Sequence, residues 1–220
     1  MARFFYNLAL LLLLPYVGLH LLLRSRRQPE YLRHVGERFG GYDIDPGQAL
    51  IWLHAVSVGE TRAAQPLVNA LKARYPGHRI LLTHMTPTGR QASEELFGDG
   101  VLRAYLPYDY PFAVRRFLAH FRPAVGVIME TELWPNLVQA CKAQGIPLLL
   151  ANARLSEKSA RRYARFPNLT RRVLRDLAGI AAQTEQDAAR LAALGAPEVA
   201  VLGNVKFDIL PPPEQLARGE

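Results

Sequence analysis

The segment IWLHAVSVGE, residues 51–60, decides the fold and contains the first candidate site residue. Its first three residues are typical of the end of a buried strand, the next are small or turn-forming, and Glu60 begins an amphipathic pattern typical of a helix. A carboxylate therefore follows a strand at the turn where open α/β sheets bind ligands. A plain helix start is the other interpretation, because the helix dipole stabilises a carboxylate in the first turn.

From Leu50 onwards, apolar runs alternate with amphipathic stretches. The predicted strands are LIWLHA, RILLTHM, LRAYLP, AVGVIME, PLLLANA, GIAAQT and VAVLGN. The predicted helices begin near Thr61, Pro87, Pro111, Trp134, Ser156 and Glu185. Short apolar strands separated by helices are typical of a parallel sheet with helices on both faces. The sequence therefore predicts one α/β, Rossmann-like domain over residues 49–209.

An apolar segment near the N-terminus predicts a membrane anchor over residues 1–23. Residues 4–23 carry no formal charge and are long enough to cross a bilayer core as a helix. Asn7, Pro15 and His20 interrupt the apolar character, so an interfacial or tilted helix is an alternative. A cleaved signal peptide is disfavoured because no small-residue cleavage site follows. The arginines after the segment predict an inner-membrane protein with its domain on the cytoplasmic face.

Composition indicates a basic, folded protein. Half of the residues are hydrophobic, 21% are charged, and the formal net charge is +8, which favours membrane lipids or phosphorylated substrates as partners. Nucleic acid is not an expected partner, since we find no zinc-finger spacing, RNP-type strand or helix-turn-helix pattern. The single cysteine, Cys141, excludes an internal disulfide and is typical of a reducing compartment.

Two segments are predicted to be linkers. Residues 24–48 are rich in glycine and arginine and form a basic juxtamembrane linker. The DID at residues 43–45 imitates a metal-binding DxD motif, but the Pro46-Gly47 that follows favours a turn. Residues 210–220 contain three consecutive prolines and are predicted to begin an interdomain linker, with no donor domain after it.

Polar residues gather where several predicted strands end. Glu130 follows the fourth strand, Asn152 lies at the end of the fifth, and Lys206 follows the seventh. Many of their polar neighbours have ordinary explanations as helix caps or turn residues. Because the carboxyl ends of parallel strands meet at one edge of a sheet, we expect a site at that edge.

Seven motifs occur in a fixed order along the chain. They are HAVSVGE, THMTPTG, LPYD, METELWPN, NARLSEKS, the Ala-Gln of IAAQ, and GNVKFD. Together they resemble the N-terminal half of the bacterial 3-deoxy-D-manno-octulosonic acid (Kdo) transferases, glycosyltransferases of lipid A. The resemblance implies a GT-B fold with two Rossmann-like domains facing a cleft. It also implies inverting transfer of Kdo from CMP-Kdo to the lipid A precursor, lipid IVA, in lipopolysaccharide core synthesis. This sequence would supply the acceptor side, and the missing C-terminal half the CMP-Kdo site.

The resemblance implies roles for individual residues. Glu60 is implied as the general base that takes the proton of the acceptor hydroxyl. Glu130 and Lys206 are implied to stabilise the oxocarbenium-like transition state or a ligand, with a structural ion pair or surface role as the alternative. The implied substrate-binding positions are Ser57, Gly59, Thr88, Arg90, Glu132, Asn152 and Arg154; the two arginines suit phosphate or sugar carboxylate. No metal or other cofactor is implied, and His54 is expected to be packed or hydrogen-bonded.

Alternatives remain at this level. The arginine-rich residues 161–176 form either a solvated helix face or a contact for the membrane surface or lipid A phosphates. A membrane-tethered, non-catalytic lipid-binding module would have the same anchor and basic patches without needing Glu60. Another GT-B-like enzyme, such as a nucleotide-sugar epimerase, would have the paired domains without needing the anchor.

Overall fold

A seven-stranded, entirely parallel sheet forms the centre of the molecule. The structure is a computed structural model that describes residues 2–47 and 49–208, so the predicted linker at 210–220 lies outside the described residues. The strands are β1 (Leu50–His54), β2 (Arg79–His84), β3 (Leu102–Tyr105), β4 (Val125–Met129), β5 (Leu148–Ala153), β6 (Gly179–Ala182) and β7 (Ala200–Val201). Their order across the sheet is β3-β2-β1-β4-β5-β6-β7. All seven predicted strands and the Rossmann-like fold are confirmed.

Helices follow the strands as the sequence predicts, with two breaks that it did not. They are α1 (Ala2–Ser25), α2 (Val58–Ala63), α3 (Gln65–Arg74), α4 (Pro87–Phe97), α5 (Pro111–Phe121), α6 (Pro135–Ala143), α7 (Glu157–Ala164), α8 (Pro167–Asp176) and α9 (Glu185–Ala193). The expected single helix after β1 is divided because Pro66 lies in the first turn of α3. Pro167 divides the helix after β5 in the same way. Proline lacks the amide proton and is accommodated best in the first turn of a helix.

Both faces of the sheet are covered by apolar side chains. On one face, Trp52 and Ile128 pack with Phe117 of α5 and Leu174 of α8. On the other, strand residues from β1, β2 and β4 pack against Val68 of α3. Burial on both faces explains why the strands read as continuous apolar runs rather than as alternating patterns.

The juxtamembrane segment is packed into the domain over part of its length. Two short 3-10 helices, Pro29–Tyr31 and Val35–Phe39, interrupt it. The side chain of Glu37 is buried and accepts the backbone N–H of Tyr105 at 2.6 Å. Arg38 is 1% exposed, donates to the carbonyl of Met85 at 3.1 Å and lies over the Tyr105 ring. The predicted basic linker thus includes residues that belong to the folded domain.

The DID sequence forms a turn. The backbone N–H of Gly47 donates to Asp45 Oδ1 at 2.9 Å, and Gly47 has φ 65°. An aspartate that accepts from the residue two positions later is a common turn element, and glycine tolerates the left-handed backbone. This local bond confirms the turn interpretation.

Helix α1 is long and apolar enough to cross a membrane, with a mean hydropathy of 1.8 over its most apolar window. Its exposed side chains include Leu12 and Leu19, and little of the helix is covered by the domain. At about 1.5 Å per residue its 24 residues extend about 36 Å, which exceeds a hydrocarbon core of about 30 Å. The predicted helix is confirmed, and its length and composition fit an anchor.

A cluster of buried polar groups, which we call the latch, fixes the start of α1 to the domain. Tyr6 donates its hydroxyl to Asp109 Oδ2 at 2.9 Å, and Asn136 donates to the side chain of Asn7 at 2.8 Å. The hydroxyl of Tyr110 donates to the carbonyl of Leu10 at 2.9 Å. Asp109 also accepts the backbone N–H groups of Asn136 and Leu137 at the first turn of α6. The N-terminal part of α1 is therefore held against the domain beside α6.

Replacing Tyr6 by phenylalanine should destabilise the protein, because Asp109 loses a hydrogen bond while remaining buried. We expect Tyr6→Phe to lower the free energy of unfolding by about 1–2 kcal/mol. The measurement is unfolding in detergent micelles, followed by tyrosine and tryptophan fluorescence. Tyr16→Phe is the matched control, since Tyr16 is 61% exposed on the same helix; its effect should stay within about 0.5 kcal/mol. Equal effects of the two substitutions would contradict the latch.

Candidate functional site

The candidate site lies at the carboxyl edge of the sheet, where β1 and β4 are neighbours. The chain leaves β1 towards α2 with β2 on one side, while β4 pairs with β1 on the other. Successive connections from these two strands diverge, which leaves a crevice outside the strand ends. The turn after β1 and the loop between β4 and α6 line this crevice. Glu60 lies in the first turn of α2, and Glu130 directly follows β4.

Glu60 is held by the turn that precedes its helix. Its Oε2 accepts the backbone N–H of Val56 at 2.8 Å, and its Oε1 accepts the hydroxyl of Ser57 at 3.1 Å. Ser57 is the N-cap of α2 and in return accepts the backbone N–H of Glu60 at 3.5 Å. This reciprocal pattern resembles a capping box, in which a serine and a glutamate three residues later satisfy free N–H groups. The carboxylate is therefore positioned before any ligand binds.

The surroundings of Glu60 oppose its ionisation. Burial raises the pKa of the carboxyl, and the nearby charges of Glu130 and Glu132 raise it further. Hydrogen bonds from Val56 and Ser57 act in the opposite direction, and the resulting pKa is about 7. In a carboxyl that only capped a helix, the helix dipole and these hydrogen-bond donors would stabilise the ionised form and so lower the pKa. A pKa close to neutral pH is instead the property of a general acid or base.

Glu130 has an unusual backbone conformation. Its φ is 57°, in the left-handed region that few non-glycine residues occupy. Its backbone N–H still donates to the carbonyl of Ala151 at 2.9 Å, so the turn begins directly at the sheet edge. Such backbone strain persists where surrounding structure enforces it and is concentrated at functional sites. The geometry keeps the Glu130 side chain close enough for its charge to act on Glu60.

The carboxylate of Glu132 lies close to two aromatic side chains, the indole of Trp134 and the imidazole of His54. Trp134 donates its indole N–H to Glu132 Oε2 at 3.0 Å, and the same oxygen lies 3.7 Å from His54 Nε2. His54 is fully buried, and its Nδ1 lies 3.1 Å from the carbonyl and 3.0 Å from the hydroxyl oxygen of Thr83. The expectation that His54 is packed and hydrogen-bonded is confirmed. Its second ring nitrogen, Nε2, faces Glu132, which lies at the candidate site.

Asn152 organises the far side of the crevice. It is buried with φ 53°, and its Oδ1 accepts the backbone N–H of Val205 at 3.2 Å. Its carbonyl accepts the side-chain amide of Gln183 at 3.0 Å, and Gln183 in turn accepts from Asn204 at 3.1 Å. These bonds join the ends of β5 and β6 to the segment after β7.

Lys206 is placed by that network. It lies in a 3-10 helix, Val205–Asp208, that contacts α2 and α3, and its own side chain is exposed. The backbone N–H of Lys206 donates to Asn204 Oδ1 at 3.0 Å. The segment carrying Lys206 therefore returns to the helix that carries Glu60, although the two residues are far apart in sequence.

The remaining predicted residues differ in their placement. Arg154 is exposed at the sheet edge, and its carbonyl accepts the Thr131 hydroxyl at 2.6 Å. Arg90 pairs with Glu37 at 3.2 Å and lies over the Tyr105 ring, so its guanidinium already has protein partners. Gly59 and Thr88 are exposed in the first turns of α2 and α4. The structure thus gathers Ser57, Glu60, Glu130 and Glu132, and ties Arg90 to the juxtamembrane segment.

Sequence reasoning missed several residues that hold the site. Thr131 joins the loops after β4 and β5, and Gln183 joins Asn152 to Asn204. The Nδ1–H of His84 donates to the carbonyl of Ala55 at 2.9 Å, and burial lowers the pKa of His84 to about 3, so the imidazole is neutral at physiological pH. The available signal was that all three lie within the quoted motifs: His84 in THMTPTG, Thr131 in METELWPN and Gln183 in the Ala-Gln of IAAQ. In the part of the chain that the structure describes, no three His, Cys, Asp or Glu side chains are grouped as metal ligands.

Comparison with known proteins places this geometry in context. A family model described as 3-deoxy-D-manno-octulosonic-acid transferase (kdotransferase) matches residues 33–209. The 3-deoxy-D-manno-octulosonic acid transferase of Bordetella pertussis is 45% identical over all of this chain and 53% of its own length. That of Haemophilus influenzae is 40% identical over 95% of the chain and 50% of its own length. The chain thus spans about half the length of these curated relatives.

A solved structure has a similar fold. The UDP-GlcNAc 2-epimerase of Neisseria meningitidis, bound to UDP-GlcNAc, aligns with a TM-score of 0.52 at 15% identity. The alignment covers 72% of this chain and 48% of the epimerase. At this identity the similarity concerns the fold alone.

The raised pKa of Glu60 predicts a pH-dependent effect on stability. An unfolded glutamate ionises near pH 4.5, whereas the folded one ionises near 7, so the protein loses stability as pH rises through this window. Glu60→Gln removes that loss and should stabilise the fold at pH 8 by about 1–3 kcal/mol, with no difference at pH 4. Denaturant unfolding at the two pH values measures the effect.

Glu157→Gln is the control for this prediction, because the Glu157 side chain is 71% exposed on α7. A gain of the same size in both variants, or no gain for Glu60→Gln at pH 8, would contradict a carboxyl held against its ionisation.

Proposed function

The chain belongs to the 3-deoxy-D-manno-octulosonic-acid transferase family, and from this we propose that it is the acceptor-side half of a membrane-anchored Kdo transferase. The proposed reaction transfers Kdo from CMP-Kdo to the lipid A precursor, with inversion and without a metal ion. The observation that supports it best is Glu60, a preorganised carboxyl with a pKa of about 7 at the carboxyl edge of the sheet. That position and that pKa are what a general base needs.

The division of labour follows from the length of the relatives. This chain corresponds to about half of each, and a GT-B enzyme uses two Rossmann-like domains. We propose that the other half holds CMP-Kdo and that the crevice described above faces it. The acceptor hydroxyl then enters from the side of Glu60, opposite the departing CMP.

The chemistry assigns one proton transfer to this domain. Ionised Glu60 accepts the proton of the acceptor hydroxyl as its oxygen attacks the anomeric carbon of Kdo, and the bond to CMP breaks on the other face. One base is enough for such an inverting displacement, because CMP leaves as a phosphate anion that needs no proton from a general acid. The hydrogen bonds from Val56 and Ser57 hold the carboxylate in one orientation, which reduces the reorganisation needed during attack.

Positive charge develops on the sugar ring and negative charge on the leaving phosphate. The Glu130 carboxylate, held by its strained backbone, is proposed to stabilise the oxocarbenium-like centre. The exposed Lys206 ammonium is proposed to stabilise the leaving phosphate, since its segment contacts the helix of Glu60. The mechanism thus uses side chains from three different strand ends.

Substrate binding is proposed for the remaining residues of the rim. Arg154 presents an exposed guanidinium for a phosphate or the Kdo carboxylate. Ser57, Gly59, Thr88, Glu132 and Asn152 would contact sugar hydroxyls from their places along the sheet edge. Arg90 would contribute indirectly, because its pairing with Glu37 holds the juxtamembrane segment against α4 and β3.

Two alternative functions are less well supported. A non-catalytic lipid-binding module explains α1 and the arginines but gives no reason for the raised pKa of Glu60. A nucleotide-sugar epimerase has a similar fold, but the relatives at 40–45% identity are transferases by name. The first alternative is tested by removing Glu60.

We further propose that α1 anchors the protein in the inner membrane with the domain on the cytoplasmic face. The arginines at its C-terminal end, Arg24, Arg26 and Arg27, favour the cytoplasmic side. Because Tyr6, Asn7 and Leu10 are hydrogen-bonded to the domain, α1 is proposed to lie in the membrane surface as an interfacial helix rather than to cross the bilayer. Exposed arginines on α7 and α8 would then lie near anionic headgroups.

Removing the carboxylate of Glu60 should abolish most of the turnover. The test uses a full-length protein in which residues 1–209 precede the C-terminal half of the Bordetella pertussis relative, after its unsubstituted form has been shown to transfer Kdo. We expect Glu60→Gln to lower kcat by at least about a hundredfold, with CMP-Kdo affinity little changed. The wild-type kcat/KM should rise with pH through about 7, since only the ionised base reacts.

Glu157→Gln in the same protein should keep near-normal turnover and serves as the control. Near-normal turnover of Glu60→Gln, or a rate that does not change between pH 6 and pH 8, would refute Glu60 as the base.

Deleting residues 2–23 should release the protein from membranes. In 1 M NaCl, where the screening length is about 3 Å, attraction of the arginines to headgroups is suppressed. We expect the full chain to stay bound and the shortened chain to be soluble and folded, with a lower Tm because Asp109 loses Tyr6. Flotation with liposomes of the bacterial phospholipids measures binding. A shortened chain that still floats in 1 M NaCl would show that α1 is not the main anchor.

A further inference from the structure

An apolar groove of about 650 Å³ lies between the anchor helix and the domain. One wall is α1, with Phe5 and Ala9 one helical turn apart on the same face. The other wall is α8 and the residue before it, with Phe166 and Val173. Its volume is in the range of pockets that enclose most of a small ligand. The structure therefore has a cavity between the apolar helix α1 and the Rossmann-like domain.

The groove is suited to a hydrocarbon. Among the residues that the structure places along it, Arg165 alone is charged. Phe166 is 66% exposed and Phe5 is 63% exposed, so two large apolar side chains face open space. Such surface is unfavourable in water by about 25 cal/mol per Å² and is suited to contact with hydrocarbon. An acyl chain in the groove would pack against both rings.

A cationic cleft adjoins the groove. Arg171, Arg172 and Arg175 of α8 line a second cavity of about 280 Å³ together with Asp176, whose carboxylate lies 3.9 Å from Arg172, so the cleft keeps an excess of positive charge. Asn168 lines both cavities, so the apolar and the basic surface meet at one residue. An apolar groove beside a group of guanidinium side chains matches a lipid with an anionic headgroup.

The groove also adjoins the candidate site. Leu133 and Pro135 line it, and both belong to the loop that carries Glu132 and leads into α6. Tyr6 is a second connection, because it lines the groove and donates to Asp109 in the latch. The wall formed by α1 is therefore held by a buried hydrogen bond rather than by apolar contact alone.

We propose that this groove binds one acyl chain of the phosphorylated glycolipid acceptor, while the arginine cleft binds a phosphate of the same molecule. The proposal rests on the proposed function, since it assigns the acceptor's lipid part to a place beside Glu132. A bulk phospholipid fits the apolar groove equally well but has no reason to reach the candidate site. The continuity of groove and site through Leu133 and Pro135 favours the acceptor.

The test is photo-crosslinking in nanodiscs of neutral phosphatidylcholine. The probe is a tetra-acylated glucosamine disaccharide 1,4′-bisphosphate with a diazirine near the end of one acyl chain. Mass spectrometry locates the label in the full chain, and unlabelled acceptor or phosphatidylglycerol is added as competitor. We expect label in residues 5–9 and 166–173, displaced by acceptor at a concentration at least about tenfold lower than by phosphatidylglycerol.

Matched variants separate the groove from the rest of the helix. Ala9→Phe fills the groove and should lower labelling there about tenfold. Leu8→Phe places the same side chain at the adjacent position, which does not line the groove, and should leave labelling unchanged. Phe166→Ala, at an exposed position that folding tolerates, should also reduce labelling, whereas Phe112→Ala on α5 should not.

The outcomes distinguish this inference from the proposed function. Label spread over the outer face of α1, unchanged by Ala9→Phe, overturns the acyl groove while leaving Glu60 and transfer untouched. Equal competition by phosphatidylglycerol overturns the acceptor as occupant and assigns the groove to bulk lipid. Saturable groove labelling together with normal turnover of Glu60→Gln would refute the assigned base but support the groove.

Discussion

The turn between β1 and α2 holds a carboxyl where burial opposes its ionisation, and the rest of the site is arranged around it. β1 is buried on both faces and pairs with β2 and β4, so the position of the turn does not vary. Ser57 is the N-cap of α2, and the backbone N–H of Val56 donates to the Glu60 carboxylate. The same bonds that begin the helix therefore also orient the candidate base. The bonds between Ser57 and Glu60 are those of a helix cap, and burial raises the pKa of the same carboxyl to about 7, which is the property that the proposed general base requires.

Around this turn, the sheet edge is built by backbone conformations that most residues avoid. Glu130 and Asn152 both have φ values above 50°. Glu130 directly follows β4, whereas Asn152 is the last residue but one of β5, where the pairing of β5 with β6 shifts register. Long-range bonds accompany both conformations: the Glu130 N–H donates to the carbonyl of Ala151, and Asn152 Oδ1 accepts the N–H of Val205. Strain of this kind is maintained by the parallel sheet, whose core on both faces prevents the strand ends from relaxing.

Helix α1 is joined to the same part of the domain. The latch connects α1 to Asp109 and to the first turn of α6, and α6 follows the loop of Glu130 and Glu132. Burial raises the pKa of Asp109 to about 6 despite the donors around it, so these bonds are made inside the protein rather than at its surface. With α1 as the proposed anchor, these bonds would hold the domain in one orientation relative to that helix.

The sequence by itself determined the elements that depend on near neighbours. Apolar runs predicted all seven strands, proline and cap residues predicted most helix starts, and the motif order identified the family. Tertiary structure decided what depends on distant partners. It packed Glu37 and Arg38 of the expected linker into the domain, and it directed Arg90 to Glu37. It also brought Tyr6 to Asp109, 103 positions away. Periodicity and turn chemistry act over a few residues and can be read locally, whereas a buried hydrogen bond exists only after the sheet has brought its two partners together.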